Sequence, residues 1–198
     1  MAFCTPTTLD QYRVHVLEPQ RHPWARMISD REANFAHAVI HPYNTFVQSI
    51  DGIGVALVPR VGLSDFGGLL CERRCRCLIL VAHWHEEQVE FFDGLSALPE
   101  IVAAVPASFD GIIDLSVCNS ESLARALRKA RPNLGPIRYS GGSVVYAFWL
   151  TFYSALLHKI AATSMNYWDA YESTMRDVLK VARQKPARRW LRRLFSAS

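Results

Sequence analysis

Short apolar runs alternate along the chain with segments whose apolar positions recur every three or four residues, the signatures of buried strands and of helices packed by one face. Residues 12–19, YRVHVLEP, alternate apolar and polar and stop at a proline, which predicts a strand. Ser29 and Glu32 have the spacing of a capping box and precede the stripe Phe35, Ala36 and Val39, a helix expected to stop at Pro42. Residues 54–62, GVALVPRVG, predict a second short strand, and Ser64 and Asp65 open a helical stretch through Leu69 and Leu70. Cys77 to Ala82 reads as a third strand. Its unbroken apolar character predicts a strand covered on both faces.

Farther on, VEFFDG (residues 89–94) predicts an edge strand or hairpin closed by Asp93 and Gly94, with a short helix at residues 98–105. GIIDLSVC (residues 111–118) predicts the fourth strand, and SESLARALRKARP a helix with Glu121 in its first turn, Lys129 and Arg131 near its end and Pro132 as its stop. PIRYSGG supplies a fifth strand, followed by a helix from about Ser143 to Ala161. Ser164 is expected to cap the last helix, where Tyr167, Tyr171, Met175 and Val178 share a face. Strands alternating with helices predict an α/β fold with a mostly parallel sheet and helices on both of its faces.

The 198 residues, half of them hydrophobic, suit one domain over residues 1–180. The net charge of +4 hides an asymmetry: Lys180, Arg183, Lys185, Arg188, Arg189, Arg192 and Arg193 are seven bases without an intervening acid. Removing these seven positive charges from +4 leaves a remainder of net charge −3; six of the seven lie in a basic amphipathic tail, residues 181–198, with Trp190, Leu191, Leu194 and Phe195 on one helical side. Such a tail fits a protein partner or an anionic membrane better than nucleic acid. The apolar stretch at residues 144–157 is shorter than the roughly 20 residues a bilayer requires. No secretory signal is legible at the amino terminus, and five cysteines form no disulfide framework, so a cytoplasmic location with reduced thiols is expected. The spacings C-x3-C-x-C (Cys71, Cys75, Cys77) and H-x-H (His83, His85) match no common zinc pattern, and neither a metal nor a cofactor is expected.

Two strands end in residues able to do chemistry. CLILVAHW brings His83 to the exit of the third, and DLSVCNS brings Cys118 to the exit of the fourth. In open α/β sheets reactive groups collect at the carboxyl ends of the strands. A thiol attacks a carbonyl only as thiolate, which a nearby imidazole and a following helix amino terminus both favour. His83 would take the proton, and the backbone N–H groups of Cys118 and of the residue after His83 would face the developing oxyanion.

LILVAHW and DLSVCNS resemble the histidine and cysteine boxes of caspase-like (clan CD) cysteine peptidases, especially the prokaryotic CHAT branch, whose second box reads approximately L-S-x-C-x-[ST]; Leu115, Ser116, Cys118 and Ser120 match it. The resemblance covers residues 63–179 and implies a caspase-like three-layer α/β/α sandwich, with His83 as general base and Cys118 as nucleophile of a cysteine endopeptidase acting on a protein substrate. It further implies a regulated prokaryotic effector whose sensor acts in trans. The family carries glycine after the histidine and this chain carries Trp84, which leaves a catalytically inactive binding or signalling module as the alternative. His85 is the competing base. Trp84, Asp114 and Ser116 are the candidate substrate contacts, because residues 112, 114, 116 and 118 share one side of the strand. The residue cleaved and the activating signal are not legible in the sequence.

Overall fold

The computed structural model describes residues 1–5, 41–142 and 146–184. The expected strand at residues 12–19, the helix through residue 39 and the tail beyond Gln184 lie outside them. The chain divides into two compact units, one of Met1–Gln11 with Val55–Ser143 and one of Tyr12–Gly54 with Val144–Ser198.

The first unit is built on strands β1 (Ala2–Thr5), β2 (Ala56–Pro59), β3 (Cys77–Ala82), β7 (Ile112–Val117) and β8 (Ile137–Tyr139), every neighbouring pair parallel, in the order β2-β1-β3-β7-β8. Three helices, α2 (Leu63–Cys71), α3 (Leu98–Ala104) and α4 (Glu121–Ala130), share one core with a face of this sheet. The expected α/β architecture with a parallel sheet is present. Alternation decides which side chains enter that core: Leu78, Leu80 and Ala82 from β3 and Ile113, Leu115 and Val117 from β7 meet Phe66, Ile101, Leu123 and Leu127 from the helices. The other side of β3, Cys77, Ile79 and Val81, is buried as well, as its unbroken apolar run predicted.

A separate antiparallel sheet, β4 (Trp84–His85), β5 (Gln88–Phe91) and β6 (Gly94–Ala97), follows β3 directly, and β6 leads into α3. It extends the hairpin foreseen at Asp93 and Gly94. Asp93 accepts the Leu63 N–H with both carboxylate oxygens, at 3.1 and 3.2 Å, and the Phe92 N–H donates to the Val61 carbonyl at 3.0 Å. The turn is thereby tied to the start of α2, whose first N–H groups need acceptors.

The second unit contains α1 (His41–Ile50), α5 (Tyr146–Thr163) and α6 (Tyr167–Gln184), with α5 packed on both others. Aromatic rings fill it: Phe152 meets Tyr171 at 4.9 Å between centroids, and Trp149 stacks on Tyr153 at 5.5 Å. Lys159 donates to Asp177 at 2.6 Å and to Ser173 at 2.9 Å. That hydrogen bond, with the Lys159 charge, holds the Asp177 carboxyl below the usual range.

Pro42 stands second in α1, where its missing N–H costs no intrahelical bond, and the helix expected to stop at it lies outside the described residues. Two local features depart from expectation. The cap of α6 is Asn166 and not Ser164: the Asn166 Oδ1 accepts the Asp169 N–H at 3.0 Å, while Ser164, at φ 57°, ends α5 by donating its N–H to the Ile160 carbonyl. Strand β1 was not foreseen at all; four residues are too few to display a period. No helix among the described residues is long and apolar enough to cross a membrane.

Candidate functional site at the carboxyl edge of the sheet

Strands β3 and β7 are neighbours, paired from Cys77 with Ile112 through Ala82 with Val117. The next residue on each is His83 and Cys118. Neighbouring strands lie about 4.8 Å apart, so the two residues leave the sheet side by side at its carboxyl edge. Both are half-buried. Adjacency of two positions 35 residues apart thus follows from register alone, within one compact unit.

Each residue stands on a fixed support. The His83 carbonyl accepts the Glu90 N–H from β5 at 3.1 Å, which anchors the point where the chain leaves the parallel sheet for the hairpin. After Cys118 the chain turns at Asn119, φ 51°, a left-handed conformation that asparagine tolerates better than most residues. The fully buried Ser120 then locks the loop: its N–H donates to the Ser140 carbonyl at 3.0 Å, its hydroxyl donates to the Leu115 carbonyl at 3.3 Å, and that hydroxyl accepts the Ser140 N–H at 3.3 Å. Cys118 therefore sits between His83 on one side and the loop after β8 on the other, at the foot of α4. The sequence marks Ser120 as a match to the cysteine box and as a candidate start of the helix after Cys118; its clasp depends on a loop twenty residues away.

Trp84 meets no backbone difficulty in the place where glycine was expected. Its φ is not positive, and its indole packs against the core cluster of the unit. Because Glu90 donates to the His83 carbonyl, those two residues form a hydrogen-bonded pair, and the adjoining Trp84 and Val89 form the non-hydrogen-bonded kind, in which the Trp84 N–H points away from β5. His85 lies one residue farther into the hairpin, its ring 6.2 Å from that of His83 and its Nε2 3.5 Å from the Glu90 carboxylate. Of the two imidazoles, His83 is the one in register with Cys118.

Asp114 and Ser116 occupy the side of β7 that Cys118 would continue, and both are buried. They are bound to Arg138, which the sequence reading passed over: its guanidinium reaches Asp114 Oδ1 at 3.0 Å and Ser116 Oγ at 2.8 Å, and the Ser116 hydroxyl donates to Asp114 at 3.2 Å. Asp114 and Arg138 are direct partners across β7 and β8. A buried carboxylate requires such a partner, so an arginine inside the short strand PIRYS was the available signal. Direct substrate contact by Asp114 would first have to loosen this ion pair.

The remaining cysteines differ in kind. Burial pushes the Cys77 thiol well above the ordinary thiol range, with the Asp114 charge adding to it, and burial also raises Cys75. Cys71 is exposed. Among the described residues no group of three or more histidines, cysteines and carboxylates converges as a metal would require. The chain matches no protein-family model and no curated protein.

Proposed function

We propose that this chain is a caspase-like cysteine endopeptidase with a three-layer α/β/α arrangement, in which Cys118 is the nucleophile and His83 the general base. The single observation that carries the reading is the register of β3 and β7, which ends in His83 and Cys118 side by side. The hairpin after the histidine strand and the Ser120 lock behind Cys118 support it, because a nucleophile has to be held in place before substrate arrives.

The chemistry balances without a cofactor. His83 takes the Cys118 proton as the sulfur attacks the carbonyl carbon of a peptide bond, and the oxygen becomes an anion facing the Trp84 and Cys118 N–H groups. The tetrahedral adduct collapses, the C–N bond breaks, and His83 returns the proton to the departing amine, leaving a thioester on Cys118. Water then attacks the thioester with His83 again as base, releasing the acid and the thiol. A protein substrate and a regulatory sensor acting in trans belong to the same proposal.

The test is covalent labelling by a peptide carrying a thiol-reactive carbonyl warhead, located by mass spectrometry. The expected pattern is label on Cys118, lost in Cys118→Ala and reduced about a hundredfold or more in His83→Ala, but retained in His85→Ala. Label on Cys71 alone, or Cys118 labelling that ignores His83, rejects the dyad and leaves the non-catalytic binding module.

A further inference from the structure

The antiparallel sheet β4-β5-β6, which follows His83 in the chain, holds an open cavity of about 640 Å³, lined among others by Trp84, Glu86, Glu90, Phe92 and Leu95. We propose that this cavity is a docking surface for an extended peptide in which apolar and basic side chains adjoin, and that it selects the substrate of the peptidase proposed above. The substrate role rests on that reading; the docking itself does not.

Four observations carry it. Phe92 and Leu95 are 47 % and 52 % exposed, and they account for two of the four large hydrophobic side chains left exposed among the described residues. Both line this one cavity. Charge comes next: residues 84–97 contain Glu86, Glu87, Glu90 and Asp93 and neither lysine nor arginine. Asp93 is committed to the Leu63 N–H, and Glu90 lies against His85, but Glu86 and Glu87 stand exposed at the tip joining β4 to β5.

That tip is a two-residue turn with both residues left-handed, φ 45° at Glu86 and 67° at Glu87. Asparagine and glycine are the residues such a turn favours, and glutamate there costs backbone energy, so two carboxylates are displayed at the expense of stability. Finally, the aromatic wall already receives a cation, the Arg60 guanidinium over the Phe92 ring at 5.8 Å from its centroid. A peptide arginine would meet the exposed carboxylates of the β4–β5 tip, and its apolar neighbours would cover Phe92, Leu95 and Trp84. An acidic peptide would meet repulsion. Because Trp84 and His85 directly follow His83, a peptide held here runs past the candidate base.

Fluorescence anisotropy with the Cys118→Ala chain tests docking without cleavage, using a labelled short peptide of alternating leucine and arginine and its counterpart with glutamate in place of arginine. The basic peptide should bind at least about tenfold tighter than the acidic one. Glu86→Lys with Glu87→Lys should reverse that order, and Phe92→Ser with Leu95→Ser should weaken the basic peptide by about tenfold. Glu86→Asn with Glu87→Gly, which suits the turn and cannot misfold it, should lose the charge preference. Circular dichroism checks each fold. Affinities indifferent to all of these substitutions, or no binding of the basic peptide, overturn the docking surface. Cavity-dependent binding together with warhead labelling that ignores Cys118 or His83 overturns the peptidase reading alone, and His83-dependent labelling of Cys118 with cavity-independent binding overturns the docking surface alone.

Discussion

At the scale of single residues, the cysteines sort by solvent and by charge. Cys77 is held protonated by burial first and by the Asp114 carboxylate second, whereas the same thiol in the unfolded chain ionises near the ordinary value. A group whose folded pKa is raised lends stability that is fully present below its unfolded pKa and drains as pH climbs beyond it. Stability should therefore fall from about pH 8.5 upward, with Cys77 contributing about 1.4 kcal/mol per pH unit. Urea unfolding under reducing conditions across that range measures the slope, and Cys77→Ala should reduce it by that amount. An unchanged slope would mean that Cys77 meets solvent in the fold. The sequence disclosed this residue's burial, because Cys77 opens an unbroken apolar run. It disclosed less about His85, whose separation from His83 depends on where β3 ends and the hairpin begins, a boundary set by the Glu90 N–H reaching the His83 carbonyl.

At the scale of elements, charge inside a strand is the point of interest. Asp114 and Arg138 face one another across β7 and β8, Asp114 fully buried and Arg138 nearly so. Removing one partner strands the other charge in the interior, which costs about 3–5 kcal/mol, whereas replacing both by apolar groups of similar size is often close to neutral. Asp114→Leu and Arg138→Met should each destabilise by that order, and the double variant by less than either, with chemical denaturation of all four proteins closing the cycle. Additive losses would show that the ion pair carries no coupling. Strands β2, β3, β7 and β8 were legible from apolar runs and turn residues, and so were α2, α3 and α4. Their partners were not, because pairing is decided between segments: nothing in DLSVC names Arg138, and nothing in YSGG announces the clasp on Ser120. The misplaced cap of α6 has a similar origin. Serine and asparagine both cap helices, and only the backbone tells which of Ser164 and Asn166 stands at the entrance.

For the molecule as a whole, the first strand decides the sheet. β1 lies between β2 and β3, so residues 2–5 pair with residues 56–59 on one side and residues 2–4 with residues 78–80 on the other. Closing contacts across that length of chain costs loop entropy before any ladder repays it. Proline offers a direct probe, since it removes one N–H and tolerates only positions whose N–H the ladder does not use. The Ala56 N–H donates to the Met1 carbonyl, so Ala56 and, two residues on, Val58 point their N–H groups at β1, while the Leu57 N–H faces outward from the edge of the described sheet, the side on which the native Pro59, which has no N–H, also stands. Leu57 and Val58 are both half-buried. Val58→Pro should therefore cost about 3 kcal/mol beyond Val58→Ala, and Leu57→Pro much less beyond Leu57→Ala, with urea midpoints providing the comparison. Equal penalties at the two positions would remove β2 from the outer side of β1 in the order β2-β1-β3-β7-β8, while the separate ladder between β3 and β7 would stand.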